Sequence, residues 1–221
     1  MLARILLPLL LALPIPAQAQ TPPSPAEAAA YEGLHKAARE GDVAAIRSLA
    51  KAGADMNDRD SRGRTPVHVA AFASNDDALR ALADAGADMN ALESQAYDAV
   101  TIAAVADDPE LMSLAIALGN RADLTTSPYD GTALIAAAHL GHVEIVKRLV
   151  EAGAPLDHVN NLGWTALIEA VILGDGGSDH QQVVRLLVQA GADRSIGDRD
   201  GVTPLQHARS RGYVEMVEVL E

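Results

Sequence analysis

Residues 132–154 read TALIAAAHLGHVEIVKRLVEAGA, and the punctuation of this stretch decides the fold. Thr132 is an N-cap residue whose hydroxyl accepts from an orphan backbone donor of a first helical turn. The pair Ala136-Ala137 keeps that helix slim, so a neighbour can lie close against it. Gly141 makes a tight turn into a second helix. Ile145, Val146, Leu149 and Val150 then form an apolar stripe spaced to face one side. Gly153 ends the second helix in the left-handed conformation, which glycine adopts without steric penalty.

The same stretch recurs along the chain. Copies begin at Glu32 (EGLHKAAREG), Thr65 (TPVHVAAFAS), Asp98 (DAVTIAAVAD), Thr132, Thr165 (TALIEAVILG) and Thr203 (TPLQHARSRG), at spacings of 33, 33, 34, 33 and 38 residues. A second landmark keeps step: Gly53-Ala54-Asp55, Gly86-Ala87-Asp88, Gly153-Ala154 and Gly191-Ala192-Asp193. Self-similarity at such a period is the mark of a stacked repeat architecture, in which no unit buries its apolar face alone. Asp98 replaces the threonine cap in the third copy, and Pro66 and Pro204 occupy the first helical position. Gly41, Gly174 and Gly212 repeat the turn at Gly141; Gly53, Gly86, Gly119 and Gly191 repeat the stop at Gly153. The polar run Asn57 to Arg64 reads as a projecting loop.

This pattern resembles the ankyrin repeat, which combines T-P-L-H-x-A-A, a Gly-His turn, V-x-x-L-L and G-A-D. The resemblance covers Tyr31 to Glu221. It implies an all-α solenoid of helix–turn–helix units with projecting hairpin loops, divided approximately as 31–62, 63–95, 96–128, 129–162, 163–200 and 201–221. Two irregularities are expected to be local bulges: one extra residue in the third copy, around Asn120-Arg121, and a five-residue insertion, Asp175 to Asp179, in the fifth. The resemblance also implies recognition of another protein through the loop tips and the inner face of each first helix.

The N-terminus carries an address. Residues 1–19 read as a secretory signal peptide: Arg4 gives a positive start, Ile5 to Leu13 a short apolar run, and Ala17-Gln18-Ala19 a small-x-small cleavage pattern. Cleavage there leaves Gln20 as the new N-terminus. A membrane span needs about 20 apolar residues, and this run is half that length and broken by Pro8. The expected location is the periplasm, with simple secretion as the alternative. Residues 20–30 form a Pro/Ala-rich segment in which Ser24-Pro25-Ala26-Glu27 is a capping-box helix start. That helix is expected to run on through the alanines into the first repeat.

Composition narrows the function. With 30 acidic against 17 basic side chains the formal charge is −13, which disfavours nucleic acid and anionic lipid surfaces. The absence of cysteine excludes disulfides, thiolate metal sites and a cysteine nucleophile. No nucleotide-binding, serine-hydrolase or zinc-protease motif occurs, so neither a cofactor nor a catalytic residue is expected. The histidines have structural readings. His35 and His68 sit where the repeat uses a ring to bond between loops. His139 and His142 straddle a helix end instead of sharing a face, short of the ligands zinc needs. His207 reads as a packed helix residue, and His158 and His180 as loop residues without a partner. The glycine-rich insertion lacks the ligand pattern of a calcium loop.

The expected partner is therefore another protein, bound by a monomer with no membrane insertion of the mature chain. Candidate contacts by register are Tyr31, Arg62, Arg64, Phe72, Gln95, Tyr97, Tyr129, His139, Trp164, Leu173, Arg199 and Arg211. Five of the six aromatic rings fall among them, and Tyr and Trp are frequent interface anchors. Rings buried against the next loop would brace the stack; exposed rings would serve a partner. A protective, chaperone-like envelope role is the second reading, and a metal-dependent enzyme a remote third.

Overall fold

A computed structural model describes residues 20–221; the proposed signal peptide, residues 1–19, lies outside them. A one-turn helix, α1 (Pro25–Ala29), precedes two parallel rows. The first row holds α2 (Gly33–Glu40), α4 (Pro66–Phe72), α6 (Ala99–Ala106), α8 (Ala133–Leu140), α10 (Ala166–Ile172) and α12 (Pro204–Arg211). The second holds α3 (Val43–Lys51), α5 (Asp76–Asp84), α7 (Pro109–Ala117), α9 (Val143–Glu151), α11 (Ser178–Ala190) and α13 (Val214–Leu220). Each helix packs on its successor in the row, and each first helix packs on its own second helix. Among the described residues there is no strand, only an isolated antiparallel bridge between Thr126 and Gly131. The chain is an all-α solenoid.

Small residues set the spacing of the first row. Ala37, Ala70, Ala103, Ala137, Ala170 and Ala208 occupy one register position and are 0–4% exposed. This close approach is why the core needs few rings. The larger apolar side chains lie between the rows, where Ile46, Leu79, Leu111, Leu134, Ile145, Leu167 and Leu187 are fully buried.

The expected caps are in place. The side chains of Asp98, Thr132, Thr165 and Thr203 accept from the backbone N–H three residues on. Gly41, Gly141 and Gly212 end first-row helices at φ of 70–75°, a region L-residues disfavour.

Three expectations are corrected. The N-terminal helix does not run into the first repeat: it stops at Ala29, and α2 starts afresh at Gly33, whose φ of +52° breaks helical continuity. The Asp175–Asp179 insertion is not all loop, because Ser178 and Asp179 extend α11 to 13 residues while Asp175 accepts from the Gly177 N–H at 2.8 Å. The extra residue of the third copy lies at the loop tip and not at Asn120-Arg121. The loop-closing backbone bond spans four residues elsewhere, as in Asp60 to Arg64, but runs from Thr126 to Gly131 here.

Candidate interaction face

The loop wall is built from side chains that hold its own backbone. Asp60 Oδ1 accepts from the N–H groups of Arg62 and Arg64 at 2.8 and 2.9 Å. Glu93 does the same for Gln95 and Tyr97, Asn160 for Leu162 and Trp164, and Asp198 for Asp200 and Val202. In the longer third loop Ser127 Oγ takes over, accepting from Tyr129 and Gly131. A side-chain acceptor two residues before a donor mimics a backbone turn, so much of the acidity at the tips is turn chemistry. Adjacent loops are stitched together: Ser94 donates to Arg62 O, Ser127 to Ala96 O and Asn161 to Tyr129 O at 2.9–3.0 Å. The His35 and His68 Nε2 atoms lie 2.9 Å from Arg64 O and Tyr97 O. Burial pushes His68 down to about 4, so at neutral pH it is a neutral ring that donates from Nε2 and accepts from the Thr65 N–H at Nδ1.

The N-terminal segment is locked to this wall. Arg64 is 1% exposed. Its guanidinium donates to Asp60 Oδ2 at 2.6 Å, to Glu27 Oε1 at 3.0 Å and to Thr21 O at 3.4 Å. Arg62 Nε reaches the same Glu27 oxygen at 2.8 Å, and the Tyr31 hydroxyl donates to Asp60 Oδ2 at 2.7 Å. Hydrogen bonds from Ser24 and Arg62 hold Glu27 at about 2. Burial and the bond to Asp60 push the Tyr31 phenol up. Burial acts against ionisation of Asp60, but bonds from Tyr31 and Arg64 outweigh it and hold its carboxyl down.

Several anticipated contact residues also bond within the chain. Arg64 and, at 7% exposure, Tyr97 are buried, and the N-terminal segment meets Arg64 through Glu27 and Thr21. Tyr31 is half-buried and committed to Asp60. Arg62 is paired with Glu27, Arg199 donates to Asn161 O, and Arg211 donates to Ile172 O at 3.0 Å. His158 and His180 also have partners: His158 meets Asp130 O, and His180, in α11, meets Asp175 Oδ1 and His139 O at 3.1 and 3.0 Å.

Within the first row, the far ends of the helices stay uncovered; Val159 and Leu162 on a loop and Val214 in the second row are exposed as well. In α4 and α10 every residue but the last is buried, and in α6 every residue but the last two, so Phe72, Val105 with Ala106, and Ile172 emerge. In α8 the emergent pair is His139 and Leu140. Leu140 and Leu173 occupy the same register in adjacent repeats and are 40% and 37% exposed. Beside them sits a buried carboxylate that no sequence pattern announces. Glu169 is 5% exposed, accepts from Asn160 Nδ2 at 2.8 Å and lies 3.5 Å from His139 Nδ1. At the other end, Phe72, Tyr97, Gln95, Arg62 and Thr21 line a shallow cleft of about 180 Å³ between loop tips. Tyr129 and Trp164 are half-buried on the loops between these two places. Among the described residues no group of three or more His, Asp or Glu is arranged to hold a metal ion, and no helix is long and apolar enough to cross a membrane.

A two-row solenoid with a stitched loop wall, small uncovered apolar positions and a shallow cleft is the architecture of a stacked-repeat scaffold. The chain belongs to the ankyrin-repeat family. Profiles described as ankyrin repeats in three copies match residues 10–93 and 100–194, and one of many copies matches 170–221. It is 35% identical over 186 residues to the putative ankyrin repeat protein YahD of Escherichia coli K12, covering 83% of this chain and 92% of that one. A crystal structure of an ankyrin repeat domain from Acinetobacter baumannii AYE is 44% identical, with a TM-score of 0.78 over 85% of this chain and 95% of that one. The ankyrin repeat domain of Bcl-3, a member of the IkappaB protein family, superposes with a TM-score of 0.77 at 26% identity, covering 86% and 85%. Ankyrin repeats are generally protein–protein interaction modules, a scaffold and not an enzyme framework.

Proposed function

We propose that this chain is an exported, non-enzymatic six-repeat ankyrin protein that holds a partner protein in the periplasm against the uncovered ends of its first-row helices. The observation that carries the reading is the exposed pair Leu140 and Leu173, continued by Ile172, Val105 and Phe72 along one side of the row. Exposed apolar side chains aligned in register favour a partner's apolar surface, and the rigid loop wall supports binding without a large ordering cost. The short apolar leader ending in Ala17-Gln18-Ala19 supports export, with secretion beyond the envelope as the alternative destination. The hydrogen bonds that Arg62, Arg199 and Arg211 make within the chain move the proposed energetic centre from the loop cations to the apolar helix ends.

The test is a Leu140→Asp/Leu173→Asp variant beside a Lys147→Asp/Arg185→Asp control on the opposite row, each confirmed folded by circular dichroism. Stoichiometric partner retention should be lost in the first and kept in the second. Retention of the same partner by both would place the interface elsewhere. The protective, chaperone-like reading predicts instead many unrelated clients bound by the wild type.

A further inference from the structure

Gln20 immediately follows Ala17-Gln18-Ala19. It is 7% exposed, and its Nε2 is the buried side-chain polar atom that lacks a hydrogen-bond partner among the described residues. The backbone beside it is held in place, since Thr21 O accepts from the buried Arg64 guanidinium and Glu27 is anchored by Arg62 and Arg64. A buried amide donor without an acceptor opposes folding.

We propose that the mature protein carries pyroglutamate at position 20. This rests on the export reading, because the ring can close only when cleavage after Ala19 frees the α-amine. The amine nitrogen attacks Cδ of its own side chain, and a new N–Cδ bond forms as the Cδ–Nε2 bond breaks. The amine proton passes to the departing nitrogen, which leaves as ammonia. No oxidant or reductant takes part, and the product is a five-membered lactam with one N–H and one carbonyl. The atom expelled is the one the fold leaves unpaired. The same step removes the positive charge that cleavage creates. Neither Thr21 nor Ala19 as a first residue could undergo this reaction, so the outcome depends on both the cleavage position and the residue there.

The experiment is intact-mass analysis and N-terminal degradation of the chain after export from a Gram-negative host, with a Gln20→Ala variant alongside. The wild type should have the mass of residues 20–221 less one ammonia and should resist N-terminal degradation until treated with pyroglutamyl aminopeptidase. The variant should have its full mass and yield alanine in the first cycle. A wild-type chain beginning at Gln20 with its ammonia retained, yielding glutamine, would overturn the lactam and leave the export reading standing. A chain beginning at any other residue, Gln18 and Met1 included, would overturn the cleavage position and the lactam together.

Discussion

Asn120 donates from Nδ2 to Asp98 Oδ2 at 2.8 Å, and the two residues are 2% and 1% exposed. Both depart from the repeat: Asp98 stands where four of the other five copies have a threonine cap, and Asn120 where the others that reach this position have the alanine after Gly. Asn120 Oδ1 in turn accepts from the Val100 N–H at 3.1 Å, while Asp98 Oδ1 accepts from the N–H and hydroxyl of Thr101 at 2.8 and 2.6 Å. Burial pushes the Asp98 carboxyl up, against the pull of the bonds from Thr101 and Asn120.

The two departures are compensatory. Asn120→Ala alone should cost about 1–3 kcal/mol, the usual penalty for orphaning buried hydrogen-bonding groups. Asp98→Thr combined with Asn120→Ala restores the family pattern and should recover most of that loss, a coupling of about 1–2 kcal/mol. Urea unfolding of the two singles and the double measures it; additive losses would contradict the pairing.

His68 makes stability depend on pH. Its ordinary value of 6.5 applies to the unfolded chain and about 4 to the folded one, so between these values the unfolded state binds more protons. Its contribution is therefore present in full above 6.5 and is lost as pH falls towards 4, by about 3 kcal/mol in all. Asp98 works in the opposite sense, since its raised folded value makes protonation favour the native state as pH falls through its own window. A His68→Gln variant should flatten the loss between pH 6.5 and 4 in thermal melts; an unchanged slope would assign it to other groups.

The N-terminal segment depends on Glu27. Glu27→Ala removes the acceptor shared by Arg62 and Arg64, and limited proteolysis should then cut within residues 20–30 well before the repeats are touched. Equal protection in wild type and variant would show that the segment is held by other contacts.

The alanine row should tolerate no growth. Ala137→Leu inserts three carbons where α8 meets its neighbours at 0% exposure, and overpacking of this kind costs about 1–3 kcal/mol or more. Ala136→Leu, one residue away and half-buried, should cost far less. Chemical denaturation of the pair compares the two positions directly.

How far the fold could be read in advance follows from what each residue type requires locally. Thr132, Gly141 and Gly153 dictate caps, turns and stops through their own chemistry, so the two-row stack was legible from them. His35 and His68 were legible because the repeat assigns them a bond to the next loop. The internal role of Arg64 was not, because its partner Glu27 lies 37 residues earlier and meets it only when the arm folds back. The Asn120–Asp98 pair, 22 residues apart, was hidden for the same reason. Glu169 reads as an ordinary helix residue; its contacts with Asn160 and with His139, in the preceding repeat, form only in the stack. The one-residue excess in the third copy could be counted in sequence but not placed, since only the Thr126–Gly131 closing bond locates it at the tip.

The binding account is tested most directly by photo-cross-linking in the exporting cell, with a photoreactive residue at Leu173 in one strain and at Arg185 in another. A discrete cross-linked species of fixed mass at position 173, absent at position 185, is the predicted result. The same species at both positions, or at 185 alone, would contradict a partner seated on the uncovered ends of the first-row helices.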